Sequence, residues 1–430
     1  MMFPQEKQEL PSNFCVIPWI HLNVNPNGDV FQCCISSTNG LVGNLTQESM
    51  EDIWNNDRMK SLRLQLLNGH SPRACQKCYE QEAKGIVSFR QGINQQYASV
   101  MSSVAQQTDN QGSVDKMTLR YWDFRFSNLC NMKCRMCVHD FSSSWHSDKI
   151  ALDGPQSVTS DAVINVADRS IDDLYRVIDQ QINNVEEIYF AGGEPLILDE
   201  HYYILEQLIK HGRRDVRLRY NTNLLKIRHK HWDNIDLWKN FDNVTVFASI
   251  DAIGPRAEYI RSGTVWDTIN ENIKRLIAEP AVDFYVAPTI QVLNLLHLPD
   301  LIDYLVSCGL CLHKIRINNV LTTPPYFHIE SLSPAHKQLA RSRFAAHVAA
   351  QDIYYDATDL RKQYDGILAY MDTDRSMDHQ HMATIKRKFY RNIVEIDRIR
   401  GERFVDTFPE LVDHLRQAEQ QMQIEQSTNG

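Results

Sequence analysis

The chain has 430 residues, 43% of them hydrophobic and 23% charged, an ordinary globular composition with material for two or three domains. Its net charge of −9, from 45 basic and 54 acidic residues, argues against a nucleic-acid binder, which usually carries a basic excess. No run of about 18 apolar residues argues for a membrane span, and the opening MMFPQEKQELPSNF lacks the basic and apolar regions of a signal peptide. The expected setting is therefore the cytoplasm, with no membrane partner. Ten cysteines in a reducing compartment suggest soft-metal or iron–sulfur ligation rather than a disulfide framework, because they are grouped. Five precede residue 79, three lie between 130 and 137, and Cys308 and Cys311 form CGLC.

In chain order, residues 1–85 carry VNPNGDVFQCC, a predicted hairpin turning through Pro26, Asn27, Gly28 and Asp29. His21 alternates along its first strand and reads as structural. A helix is expected over TQESMEDIWNNDRMKSLRLQLLNG, capped by Thr46 and ended by Gly69. Residues 86–116 are polar and rich in Gln and Ser; part reads as helical and the later section as a linker. From 117 to about 325, six candidate strands (TLRYWDFRF, EEIYFAG, VRLRYNTN, VTVFASID, DFYVAPTIQ, HKIRINNVL) alternate with amphipathic segments such as EHYYILEQLIKHG and TVWDTINENIKRLIAE. That alternation predicts an α/β fold with a parallel sheet, either doubly wound or a partial barrel. Residues 326–430 read as a helical region. The two densest basic stretches, HGRRDVRLR and IKRKFYRNIVEIDRIRGER, are interrupted by acids and apolar residues and are predicted to be solvated faces.

Just past the first of these strands, CNMKCRMC places Cys130, Cys134 and Cys137 within eight positions. A cubane cluster has four irons, so three thiolates leave one iron open to substrate or cofactor. A zinc knuckle with His139 or His146 as fourth ligand is the alternative. One strand–helix unit later comes YFAGGEPLI, where Gly192 and Gly193 allow close backbone approach and Glu194 can accept hydrogen bonds from an ammonium. CNMKCRMC and GGEP together resemble the radical S-adenosylmethionine (SAM) superfamily. The resemblance covers residues 117 to about 321 and implies a partial (β/α)6 TIM-type barrel with a 4Fe-4S cluster on the three cysteines. It further implies that Gly192, Gly193, Glu194 and Pro195 contact the methionyl end of SAM. Asn223, Ser249 and Asp251 would be further SAM contacts, and Arg261 would pair with its carboxylate. Thr289, Gln291 and the stretch from Asn318 to Leu321 would lie near the adenine. Met136 stands where many members have an aromatic residue.

The N-terminal cysteines have their own spacing. Cys15 is followed by twelve residues, Gly28, four residues and Cys33, and CQKC supplies Cys75 and Cys78. This resembles the twitch domain, the shortened SPASM domain, which more commonly follows the barrel. It implies an auxiliary 4Fe-4S cluster closed by Cys15, Cys33, Cys75 and Cys78; a zinc ribbon is the alternative. Cys34 is left over as an alternate ligand, a buried residue or a hydrogen donor to a substrate radical. In CGLC, Gly309 reads as a helix C-cap, and the two cysteines read as core or strand-start residues.

The resemblance implies an enzyme that reductively cleaves SAM to a 5′-deoxyadenosyl radical and abstracts hydrogen from a small-molecule or peptide substrate. An external one-electron reductant of flavodoxin or ferredoxin type would feed it. An auxiliary cluster accepting the substrate electron would make the outcome a dehydrogenation or a peptide cross-link; hydrogen return from a thiol such as Cys34 would make it an epimerisation. Two other classes stay open. A non-catalytic iron–sulfur carrier or sensor would need no SAM pocket, and a nucleic-acid-modifying radical SAM enzyme would be expected to carry a basic surface.

Overall fold

The computed structural model describes residues 10–36, 38–83, 85, 87–158, 161–165, 171–351, 357–372 and 379–428. Its contacts divide the chain into two compact units. The first comprises Met1–Leu129, Val163–Arg219 and Lys239–Val244, the second Cys130–Ala162, Tyr220–Trp238 and Thr245–Gly430.

In the first unit the expected hairpin is present: β1 (His21–Val24) and β2 (Asp29–Phe31) pair antiparallel, with Val24 opposite Val30. A third strand not anticipated from the sequence, β3 (Leu41–Asn44), pairs antiparallel with β2; LVGN is too short and glycine-broken to announce itself. On its other side β1 pairs in parallel with β4 (Tyr121–Phe124), His21 opposite Tyr121 and Val24 opposite Phe124. β4 in turn pairs in parallel with β5 (Glu187–Phe190), giving the order β3-β2-β1-β4-β5. β6 (Arg217–Thr222) begins with the Arg217 N–H donating to the Glu186 carbonyl at 3.0 Å.

Because side chains alternate across a strand, Leu22, Val24, Trp122, Phe124, Ile188 and Phe190 share one buried apolar face. His21, Asn23, Tyr121, Asp123, Glu187 and Tyr189 share the other. The segment after the hairpin is two helices, Met50–Trp54 and Asp57–Leu67, rather than one. Ser49 and Asn56 cap them, accepting from the N–H groups of Asp52 and Met59. Thr46 does not cap; its N–H and hydroxyl both donate to Asn44 Oδ1. The break falls where Asn56 offers its side chain to the next turn instead of continuing the first helix. Gly69 follows the second helix with φ +76°, as expected. The polar stretch after residue 86 is partly helical, over Phe89–Gln96 and Ala98–Gln106, and opens with a capping box between Ser88 and Gln91.

In the second unit β7 (Val244–Ala248) pairs in parallel with β8 (Asp283–Val286), and β9 (Thr289–Ile290) with β10 (Asn319–Val320). The last candidate strand is thus shorter than its sequence suggests, because Leu312–Lys314 forms a 3-10 turn. Helices Trp266–Ile277 and Leu298–Ser307 intervene, the latter followed by Gly309 at φ +95°. Beyond residue 330 come helices Pro334–Gln351, Thr358–Met371, His379–Arg400 and Val412–Thr428. The strands are mixed and mostly parallel, with helices between them, which is the α/β character expected. Among the described residues no helix is long and apolar enough to cross a membrane.

The two basic stretches are not simple solvated faces. In the first, Arg217 and Arg219 both donate to Glu187, whose side chain is 3% exposed. In the second, Arg400 is 1% exposed and donates to Asp148 at 2.7 Å. Each arginine has a buried carboxylate partner distant in sequence, which local patterning cannot reveal.

Candidate functional site

The loop carrying Cys130, Cys134 and Cys137 belongs to the second unit and is held by its own backbone. The Cys130 N–H donates to Ser143 Oγ at 3.2 Å, and Ser144 Oγ donates to the Cys130 carbonyl at 2.7 Å. Trp145 Nε1 donates to the Cys134 carbonyl at 2.8 Å, Ser142 Oγ to that of Met132 at 2.6 Å, and the Cys137 N–H turns back onto the Cys134 carbonyl at 2.9 Å. Cys134 is buried, and Cys130 and Cys137 are half-buried. Burial pushes the Cys134 thiol up, opposed by the Arg261 guanidinium, and pushes Cys137 up to about 12.

Arg261 Nη1 lies 3.5 Å from Cys134 Sγ. The same guanidinium grips Asp251 through Nε and Nη2, at 2.8 and 3.2 Å, and Asp251 Oδ1 also accepts the Thr289 N–H at 2.8 Å. Cys134, Arg261, Asp251 and Thr289 therefore form one connected chain. Asn223 Nδ2 donates to Oδ1 of Asn131, inside the cysteine loop, at 2.7 Å. Ser249 is half-buried at the end of β7, its N–H on the Thr222 carbonyl. Asn318 is exposed and precedes Asn319, whose side chain donates to Thr289 Oγ1 at 3.3 Å. Met136 is half-buried.

Sequence reasoning missed the brace around this loop. Arg135, next to Cys134, is fully buried; it donates to Asp397 and Glu402, and its guanidinium lies 3.6 Å from the centre of the Tyr259 ring. Asp148 accepts from Lys133 at 2.9 Å and from Arg400 at 2.7 Å. Burial works against its charge, but those two cations hold its carboxyl below the usual range. The helix His379–Arg400 thus reaches both sides of the loop, and the only local signal was a run of charge in IDRIRGER.

The GGEP segment lies in the first unit, directly after β5. Gly192 has φ +81°, and a Cβ there would come 2.6 Å from Arg125 Cβ; at Gly193, φ is +41° and a Cβ would meet the Leu129 carbonyl oxygen at 2.3 Å. Both positions therefore require glycine. The Glu194 N–H donates to that same carbonyl at 2.8 Å. Glu194 is 1% exposed, and its carboxylate accepts the Leu196 N–H of the short turn begun by Pro195. Gly193→Ala is expected to cost about 1–3 kcal/mol, read as a shift of the urea midpoint.

In the first unit Cys15, Cys33, Cys75 and Cys78 line one pocket, together with Gln32 and Arg90. Burial pushes Cys15 up to about 12 and Cys75 up to about 11; Cys33 is raised by a hydrogen bond with Cys34 and then by burial. Arg90 donates to the carbonyls of Ser12 and Phe14 and to Glu82, fixing the segment that carries Cys15. Cys34 is half-buried rather than buried, and it lies within electrostatic reach of Tyr121, Arg125 and Tyr189 on the polar face of the sheet. Cys308 and Cys311 are not core residues: the first is half-buried at a helix end and the second exposed. Among the described residues no three His, Cys, Asp or Glu side chains are grouped at the spacing of a single metal ion; a cubane spreads its ligands around a larger body.

Two family models match the chain. That of SPASM, an iron-sulfur cluster-binding domain, covers residues 15–79, and that of the Radical SAM superfamily covers residues 124–289. The chain therefore carries a radical SAM domain preceded by an iron–sulfur cluster-binding domain. Its cofactors are those the two domains imply: S-adenosylmethionine with a 4Fe-4S cluster, and auxiliary iron–sulfur. Among solved structures, that of Streptococcus suis SuiB bound to S-adenosylmethionine is similar at 13% identity and a TM-score of 0.35, over 86% of this chain and 71% of that one. No curated protein matches the chain.

Proposed function

We propose that this chain is a radical SAM enzyme whose partial (β/α)6 barrel spans residues 117–325. A twitch-like auxiliary domain over 1–85 and a linker over 86–116 precede it, and a helical region over 326–430 braces it. The observation that carries the reading is the three-cysteine loop with a guanidinium on one of its sulfurs. Cys130, Cys134 and Cys137 would hold a cluster with one iron left open, and Gly192, Gly193, Glu194, Pro195, Asn223, Ser249, Asp251, Arg261, Thr289 and Asn318 would seat SAM. When bound, the cluster and SAM supply a carbon-centred radical that takes a hydrogen atom from substrate. Arg261 favours the thiolate of Cys134 over the thiol, and Asp251 keeps Arg261 aimed at it. The side-chain donors of Ser142, Ser144 and Trp145 hold the loop's carbonyls and so its shape.

Cys15, Cys33, Cys75 and Cys78, as a closed ligand set, suit electron relay rather than substrate binding. The reaction class that follows is an oxidation of a small molecule or peptide, supplied by an external reductant of flavodoxin or ferredoxin type in a reducing cytoplasm. A second outcome, epimerisation with Cys34 returning a hydrogen atom, is favoured by the reach of that thiol to the polar sheet face. Anaerobic reconstitution tests the reading: about eight irons per chain and dithionite-dependent 5′-deoxyadenosine are expected. The Cys15→Ala/Cys75→Ala double variant is expected to lose about four irons and retain cleavage. A zinc-loaded chain that leaves SAM intact would overturn the proposal.

A further inference from the structure

Strands of a parallel sheet covered on both sides usually read as continuous apolar runs. β1, β4 and β5 depart from this: their second face is polar and still buried, with His21 and Asp123 at 0% exposure and Glu187 at 2%. Buried polar atoms are nearly always hydrogen-bonded, and most on this face are. Glu187 accepts from Gln96, Arg217 and Arg219, and Asp123 Oδ1 accepts from Arg125 Nε at 3.3 Å. Among the buried polar atoms of this face, His21 Nε2 and Asp123 Oδ2 are acceptors with no partner, and Arg217 Nη2 is a donor with none.

The protonation of His21 follows from its geometry. Its Nδ1 lies 3.0 Å from the Tyr121 carbonyl oxygen, which can only accept, so Nδ1 carries the proton. Burial lowers the imidazole to about 4, leaving the ring neutral at physiological pH and Nε2 a bare lone pair. The ring is fixed by stacking on Tyr121 at 4.5 Å. Asp123 sits on the same face of the neighbouring strand, opposite Asn23 and one side-chain repeat along the ladder from His21. Strand rise and spacing put the two Cα positions roughly 8 Å apart on one face of the sheet. Two residues further along β4, Arg125 meets Gly192 of the GGEP turn.

We propose that His21 Nε2 and Asp123 Oδ2 form a substrate-binding site for a group presenting two hydrogen-bond donors, and that the substrate is a neutral polyol or sugar-like molecule bound through adjacent hydroxyls. The inference rests on the SAM reading above. Two paired acceptors call for two donors; an ammonium would also supply them. The charge on this face leans the other way, with Arg125, Arg217 and Arg219 facing Asp123 and Glu187. The site also gives β1, a strand of the N-terminal iron–sulfur segment, a part in substrate recognition.

The test uses the reduced holoenzyme with SAM and one carbon-deuterated probe at a time: glycerol, ethylammonium or acetate. Total 5′-deoxyadenosine reports on SAM cleavage, and the deuterated fraction of it reports on the site. Glycerol is expected to raise that fraction saturably, with ethylammonium and acetate well below it. His21→Leu is expected to lower the fraction about tenfold at subsaturating glycerol, the scale of one lost hydrogen bond to a buried acceptor. His21→Gln, which keeps an acceptor, should restore part of it. Normal 5′-deoxyadenosine with no deuterium from glycerol, or with as much from either other probe, overturns the proposal. So does a fraction unchanged in His21→Leu. Absence of 5′-deoxyadenosine from the parent protein would instead overturn the SAM reading; should His21→Leu fail to fold, the probe comparison in the parent decides.

Discussion

Cys134→Ala protein, reconstituted under argon, is expected to carry about four irons fewer than the parent and to release no 5′-deoxyadenosine above the enzyme-free control. The reason lies in the ligand count and in the surroundings of this thiol. A cluster on three cysteines has no spare ligand, and Cys134 is the buried one of the three, so solvent cannot readily stand in. Its carbonyl, by contrast, is held by Trp145 and does not depend on the sulfur. Circular dichroism should therefore show a folded chain, separating loss of ligation from loss of structure. Retained SAM cleavage would remove Cys134 from the cluster and with it the reading of this loop.

Arg135→Met is expected to lower the stability of the protein by about 3 kcal/mol, the lower end of the range for breaking a buried ion pair by removing one partner. The lower end applies because the arginine side chain is wholly buried whereas Asp397 and Glu402 are 16% and 21% exposed and would recover some hydration. The substitution also removes the contact with the Tyr259 ring, and Arg135 Nε no longer reaches the Tyr259 carbonyl at 3.2 Å. Arg135→Lys should recover less than half of the loss, because an ammonium cannot stack on the ring and donate to both carboxylates at once. Urea denaturation of the three proteins provides the comparison. A loss under about 1 kcal/mol, the scale of an exposed pair, would show that the helix His379–Arg400 does not brace the cysteine loop.

The features legible in the sequence are those whose cause is local. The hairpin around Gly28 and the helix stop at Gly309 each depend on neighbours a few positions away, whereas the glycines at 192 and 193 are legible as a motif although the groups they approach, Arg125 and the Leu129 carbonyl, lie far back in the chain. The spacing of the seven clustered cysteines names two sets, and the structure gathers the N-terminal four into one pocket. What could not be read depends on partners hundreds of positions apart. Arg135 looks like filler between cysteines until Asp397 and Glu402 arrive from 262 and 267 residues further on. His21 reads as structural, and half of the ring is, through Tyr121; only the three-dimensional arrangement shows that its other nitrogen is unsatisfied. Thr46 failed as a cap because Asn44 competes for it two residues away, a choice between equally local partners that pattern alone does not settle.

The ladder of His21–Val24 on Tyr121–Phe124 has a consequence separate from chemistry. With β5 on its far side, β4 is enclosed left and right. Were the hairpin to peel away, four residues of bare amide and carbonyl would become a template for any extended chain, including another copy of this one. The N-terminal segment therefore shields this edge of β4 and moves the end of the sheet out to the short β3, and that duty would persist even in a descendant that had discarded its irons.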